Sequence, residues 1–267
     1  MAPRLVLAVS LLPFLLSTGC AALAKRPDTP AAKLNVSDLL ANSNRPNERY
    51  YIMLFGSQST PRVPAKSHTW ATMVKVTDDP KGGPPSVESH TISWLPDSMK
   101  VRWWRLLVEP GSNFTLDYSL DLAERTGQRI SMWGPYETWS GLYDRFVVQK
   151  EWLDSDAIGY QCTDMIGESA CKGNGCDCFH ALSDVDPQFG RGNYPLRYFG
   201  ERATGNIVDQ LHERPILIKP WETHDWLISA LGIDRRPIIR RTYTGPIVEF
   251  SPEAVLAAAN EGKSRRR

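Results

Sequence analysis

The sequence predicts an α+β domain, an antiparallel sheet with packed helices, behind an N-terminal export segment. Short runs with alternating apolar side chains follow residue 50, whereas runs with helical spacing dominate after residue 116. Strands and helices that occur in separate blocks favour an α+β arrangement over an alternating α/β one. The third observation is an apolar run at residues 5–16, which is shorter than the ~20 residues that a membrane-spanning helix needs.

Residues 1–24 have the organisation of a bacterial secretory signal. Arg4 precedes the apolar run, and Cys20 ends a segment, Ser-Thr-Gly-Cys, that is similar to a lipobox, in which the cysteine is lipidated. A cut after Ala24 at an ordinary signal-peptidase site is the alternative. We therefore expect an exported protein of the bacterial cell envelope. It would be lipid-anchored to the membrane on the periplasmic side or, if cut after Ala24, free in the periplasm.

The rest of the chain divides into a tether, a domain and a tail. Residues 25–48 are polar and interrupted by proline, which is typical of a tether. Residues 49–250 are expected to form a single globular domain, and residues 251–267 a C-terminal helix or a frayed basic tail. The formal net charge is only +1, so we expect no nucleic acid among the partners. Nothing in the sequence indicates a cofactor.

The predicted elements follow from local periodicity. An antiparallel meander of four strands is expected at residues 50–55, 68–76, 87–95 and 101–108. Helices are expected at residues 116–125, 138–153, 201–211 and 223–231. Further extended segments are expected at residues 129–133, 157–161, 193–199, 215–219 and 236–244.

Four cysteines lie close together, at Cys162, Cys171, Cys176 and Cys178, with His180 just beyond them. In an oxidising compartment such cysteines often pair, so Cys162, Cys171 and Cys176 are candidates for a disulfide. A second interpretation is a zinc or iron–sulfur site that uses the last three cysteines and His180, although the spacing fits no common zinc motif. The third interpretation is that one cysteine is a nucleophile.

Cys178 is the candidate nucleophile. Asp177 is a good N-cap residue, and the apolar residues after it indicate the start of a helix. Cys178 would then lie in the first helical turn, where unpaired backbone N–H groups stabilise a thiolate.

These residues carry a resemblance to a family. A cysteine at a helix start, followed by x-His and preceded by histidines on two neighbouring strands, resembles the permuted branch of the NlpC-type papain-like cysteine hydrolases, which includes lecithin retinol acyltransferase. The resemblance covers residues 50–186 by the order of elements. It implies a permuted papain-like fold in which His68 is the general base, His90 orients His68, and Cys178 forms a thioester. The family has Asn where this chain has Asp177, and a carboxylate there would raise the pKa of the thiol.

The expected function is therefore that of an envelope cysteine hydrolase or acyltransferase acting on an amide or ester bond. Its substrates would be peptidoglycan peptides or acyl groups, and its lipid anchor would make the membrane a partner. The alternative is a non-catalytic envelope lipoprotein, stapled by disulfides, with a binding or structural role. A small structural metal site at residues 171–180 is a third possibility. The state of the thiols distinguishes the three.

Overall fold

The computed structural model describes residues 44–105, 107–162, 175–185 and 199–244. The predicted signal with Cys20, the candidate disulfide residue Cys171, and the predicted tail at 251–267 lie outside the described residues.

In the described residues, strands and helices are interleaved along the chain after residue 113. The strands are β1 (Glu48–Gln58), β2 (Ser67–Thr77), β3 (Ser86–Ile92), β4 (Trp94–Pro96), β5 (Gly111–Asn113), β6 (Arg129–Thr138), β7 (Gly159–Tyr160), β8 (Gly175–Cys176), β9 (Leu217–Ile218) and β10 (Ile238–Arg241). The helices are α1 (Leu116–Arg125), α2 (Ser140–Leu153), α3 (Cys178–Ser183), α4 (Glu201–His212) and α5 (Trp226–Ala230).

The main sheet has six strands in the order β10-β6-β1-β2-β3, and β9 pairs with β6. The pairs β1–β2, β2–β3 and β1–β6 are antiparallel, which confirms the predicted α+β class and the first part of the meander. β10 joins β6 in parallel at one edge. Two small pairs, β4–β5 and β7–β8, lie outside this sheet.

Both faces of the sheet are buried, so the domain has two cores. We name them the α1 face and the α4 face after a helix that each contains. The α1 face includes Met53, Phe55, Trp70 and Val74 of the sheet and Leu120 and Leu227 of α1 and α5. The α4 face includes Leu54, Ala71 and Met73 of the sheet and Phe146, Leu182 and Ile207 of α2, α3 and α4. Side chains alternate along a strand, so the even-numbered residues of β2 lie on the α1 face and the odd-numbered ones on the α4 face.

The predicted strand at 101–108 is wrong. The described part of this segment belongs to a loop between β4 and β5, and Trp103 and Trp104 in it are exposed. Its apolar side chains therefore do not mark a buried strand face. Beyond it, the isolated residue Glu109 forms an antiparallel bridge with Tyr160.

Helix α4 approaches the sheet closely at Gly56. The Thr204 hydroxyl donates to the Phe55 carbonyl at 2.9 Å. A Cβ atom at position 56 would lie 2.6 Å from Thr204 Oγ1 and 2.8 Å from Glu201 Cα. Glu201 is also held by a paired hydrogen bond with Arg129 of β6. The start of α4 is thereby fixed on the sheet, and only glycine fits beneath it.

The close approach predicts that Gly56→Ala destabilises the domain by about 3 kcal/mol, because the backbone of α4 must move to admit the methyl group. Gly127→Ala is the comparison, since Gly127 has φ +67° but open space around its Cβ position. It should cost only about 1 kcal/mol, from backbone strain alone. Urea unfolding of both variants measures the difference. Equal losses would show that α4 does not lie this close to β1.

Candidate functional site

His68 lies on the α1 face of the sheet. Its ring stacks on Trp70 with centroids 5.2 Å apart. Its Nε2 atom shares a 2.8 Å hydrogen bond with Ser93 Oγ, and the Ser119 hydroxyl of α1 contacts the same oxygen at 2.7 Å. Only 6% of His68 is exposed to solvent. The residue is thus part of a buried hydrogen-bonded cluster between β2 and α1.

Burial also makes His68 a poor base. It lowers the pKa of His68 from 6.5 to about 3, because the charged imidazolium loses its hydration. A general base works best with a pKa near the operating pH. His68 stays neutral at physiological pH, but its affinity for a proton is too low for efficient proton abstraction.

His90 lies on the other face. It pairs with Met73 across β2 and β3, and Met73 belongs to the α4 face. Its Nε2 atom is 3.1 Å from Tyr143 Oη and 2.9 Å from Glu88 Oε1. Positions 68 and 73 in β2 differ by an odd number, so His68 and His90 point to opposite sides of the sheet. The expectation that His90 orients His68 is therefore wrong.

Cys178 is the first residue of α3, as the sequence predicts, and it is half-buried. The Asp177 side chain caps the helix by accepting from the His180 backbone N–H at 2.7 Å. Buried residues of α3, among them Phe179 and Leu182, pack into the core on the α4 face. The sheet therefore lies between α3 and the His68 ring. The predicted pairing of Cys178 with His68 is not formed.

Tyr160 lies near enough to Cys178 to interact with it electrostatically. Burial raises the pKa of Tyr160 far above its ordinary value, and nearby Cys162, Cys178 and Asp177 reinforce the increase. The Tyr160 hydroxyl also forms a hydrogen bond with the Cys162 side chain. A buried hydroxyl that stays protonated thus lies among two thiols and a carboxylate.

The pairing of β7 with β8 explains this arrangement. The two strands are parallel, with Gly159 opposite Gly175 and Tyr160 opposite Cys176. Cys162 and Cys178 each follow the end of one of these strands by two residues, and both raise the pKa of Tyr160. We name Tyr160, Cys162 and Cys178 the thiol site.

Sequence reasoning missed Tyr160, although a signal for it exists. The chain contains the spacing Gly-x-x-Cys at residues 159–162, 173–176 and 175–178, and the first and last of these begin at the paired residues Gly159 and Gly175. Two short segments with the same spacing suit an in-register pair, and such a pair brings the two end cysteines together.

The described cysteines are thiols in this structure, at Cys162, Cys176 and Cys178. The expected disulfide between Cys162 and Cys176 is therefore not formed, and the expected pairs with Cys171 lie outside the described residues. Cys176 is buried, and its carbonyl accepts from Trp94 Nε1 at 3.1 Å. Within the described ranges, no group of three or more His, Cys, Asp and Glu side chains is arranged to hold a metal ion.

No protein-family model, no curated protein and no solved structure matches this chain. Among the helices that the structure describes, none has the length and apolar character needed to cross a membrane.

The burial of His68 predicts an acid-sensitive fold. The unfolded chain takes up a proton at this position near pH 6.5, whereas the folded chain does so only near pH 3. Stability at this site is therefore complete above about pH 6.5 and falls as the pH drops towards 3. We expect wild-type protein to lose about 1.4 kcal/mol per pH unit in this window relative to His68→Gln.

Urea unfolding at several pH values between 6.5 and 4 measures this loss. His90→Gln is the matched control, because it removes a histidine from the opposite face and leaves His68 in place. It should retain the acid sensitivity of the wild type. A wild type and a His68→Gln variant with parallel pH profiles would contradict the burial of His68.

Proposed function

We propose that this chain is an exported protein of the bacterial cell envelope that acts through the Cys178 thiol as a hydrolase or acyltransferase. The observation that carries the proposal is a half-buried thiol at the start of α3, within electrostatic range of the Tyr160 hydroxyl. Peptidoglycan peptides and acyl groups are the substrate classes that the compartment favours. The permuted papain-like fold remains part of the proposal, supported by the position of Cys178 but not by those of the two histidines.

The proposed reaction is acyl transfer through a thioester. The Cys178 thiolate attacks an amide or ester carbonyl, the tetrahedral intermediate expels the amine or alcohol, and water or another acceptor cleaves the thioester. The first backbone N–H groups of α3 and the protonated Tyr160 hydroxyl are suited to stabilise negative charge at this point. Asp177 opposes the thiolate, as expected from its charge.

Proton transfer in this scheme does not involve His68. His180 is closer in sequence, and its Nδ1 atom lies 3.2 Å from Asp177 Oδ1. Side chains two positions apart on a helix point in different directions, so His180 is not aimed at Cys178. We therefore assign the nucleophile and leave both histidines of the sheet outside the reaction.

The proposal predicts that Cys178→Ala abolishes the acyl-enzyme burst with an activated aryl ester, with a loss of at least about 100-fold. His90→Gln is the control and should retain the burst, because its side chain lies against Tyr143 on α2. Stopped-flow release of the aryl alcohol and mass detection of the acylated peptide give the readout. A full burst in Cys178→Ala would reject the nucleophile, and a missing burst in wild type would reject the enzyme.

The second candidate function is a non-catalytic envelope protein, stapled by a disulfide, with a binding or structural role. The positions of Cys162 and Cys178, both near enough to Tyr160 to raise its pKa, favour it specifically. Oxidation by a disulfide of the export machinery would join the two sulfurs and pass two electrons and two protons to that disulfide. The bond would close a loop of the 15 residues between the two cysteines, worth about 3 kcal/mol of stability.

Thiol labelling of the exported protein separates the two candidates. For the enzyme, iodoacetamide should modify Cys178 in the native protein at least about tenfold faster than buried Cys176. For the stapled protein, Cys178 should be blocked until a reductant is added, and reduction should lower stability by about 3 kcal/mol. Peptide mass mapping identifies the labelled cysteine in each case.

A further inference from the structure

We propose that the loop between β4 and β5 binds the surface of an anionic phospholipid bilayer through Trp103, Trp104 and Leu107. The proposal rests on the envelope location proposed for the chain, and it adds a membrane-contacting surface on the folded domain.

The exposed apolar side chains of this loop form a group. Trp103 is 53% exposed, Trp104 64% and Leu107 70%, although each is large and apolar. The two indole rings lie edge to face with centroids 5.7 Å apart. Single exposed apolar residues are common on proteins, but contiguous ones mark an interaction surface. Tryptophan in particular suits the boundary between lipid and water, where its ring is buried and its N–H stays hydrated.

The charge of the loop indicates which kind of partner surface it binds. Residues 97–110 carry three cations, Lys100, Arg102 and Arg105, and two anions, Asp97 and Glu109, which leaves a net charge of +1. Glu109 lies 3.2 Å from Arg102 Nη1 and 3.8 Å from Arg105 Nη1, and it is buried at the base of the loop. Lys100 is exposed and adds a further positive charge. Tryptophan flanked by cations complements anionic headgroups better than an apolar protein groove.

The base of the loop is also held firmly against β7. Glu109 and Tyr160 exchange two backbone hydrogen bonds, of 3.0 and 2.7 Å. A Cβ atom at Gly159 would meet Val108 at 2.4 Å, so the loop base packs tightly against β7. The strand that carries Tyr160 of the thiol site therefore also anchors the loop.

The test uses the full chain bound to phosphatidylglycerol–phosphatidylethanolamine vesicles whose acyl chains are brominated, because bromine quenches tryptophan that enters the bilayer. Wild-type fluorescence should fall on these vesicles, and the double variant Trp103→Ser/Trp104→Ser should lose most of that fractional quenching. Trp221→Ser is the matched control, since Trp221 is 79% exposed and lies outside the loop. It should be quenched as strongly as wild type.

A charge variant tests the choice of lipid. Lys100→Gln should weaken binding to the anionic vesicles about fivefold and leave binding to phosphatidylcholine vesicles unchanged. Quenching that persists in the double variant, or that is absent in wild type, would overturn the proposal. A loop that instead crosslinks to a second copy of the chain or to another protein, without quenching, would also overturn it. These readouts are independent of thiol state and turnover, so they separate failure of the membrane contact from failure of the proposed function.

Discussion

The burial of β2 on both faces is the constraint on which the rest of the structure depends. The strand β2 packs against a core on each of its two faces. Each of its residues must join one core or the other, and a shift by one position would exchange them all. This is why His68 stacks on Trp70 and bonds to Ser93, which Ser119 of α1 also contacts, while Ala71 and Met73 lie in the core beneath α3 and α4. The positions of His68 and His90 follow from this division.

The thiol site depends on a different and much smaller unit. Two short parallel strands pair Tyr160 with Cys176, Cys162 follows the first strand, and α3 begins with Cys178 just after the second. The Tyr160 ring is buried in the core on the α4 face, so its hydroxyl is held in place and remains protonated. The same strand carries the base of the tryptophan loop through Glu109. Thiol chemistry and membrane contact would thus share one structural support.

The sequence predicts much of the architecture because that information is local. Alternation identifies the first three strands of the sheet, and helical spacing with a Thr115 cap gives α1 its observed bounds of residues 116–125. The segment at 101–108 misleads for a physical reason, since exposed apolar side chains look the same in a sequence as those that face a core.

Whether His68 and His90 share a face of the sheet depends on how β2 pairs with β3, and local sequence patterns do not show that pairing. Alternation correctly groups His68 with Trp70, but it does not say which residue of β3 lies opposite which residue of β2. That register decides whether two histidines on neighbouring strands share a face. The predicted start of α3 at Cys178 is confirmed, whereas the partner of Cys178 depends on the pairing of β7 with β8, which together comprise only four residues.

The pH dependence of Cys178 alkylation in wild type and in His68→Gln tests this account most directly. Iodoacetamide reacts with the thiolate, so its rate as a function of pH reports the pKa of the thiol. With the sheet between them, the two proteins should give the same profile. A profile displaced by more than about one pH unit in His68→Gln, equivalent to about 1.4 kcal/mol of interaction, would show that the imidazole and the thiol are neighbours.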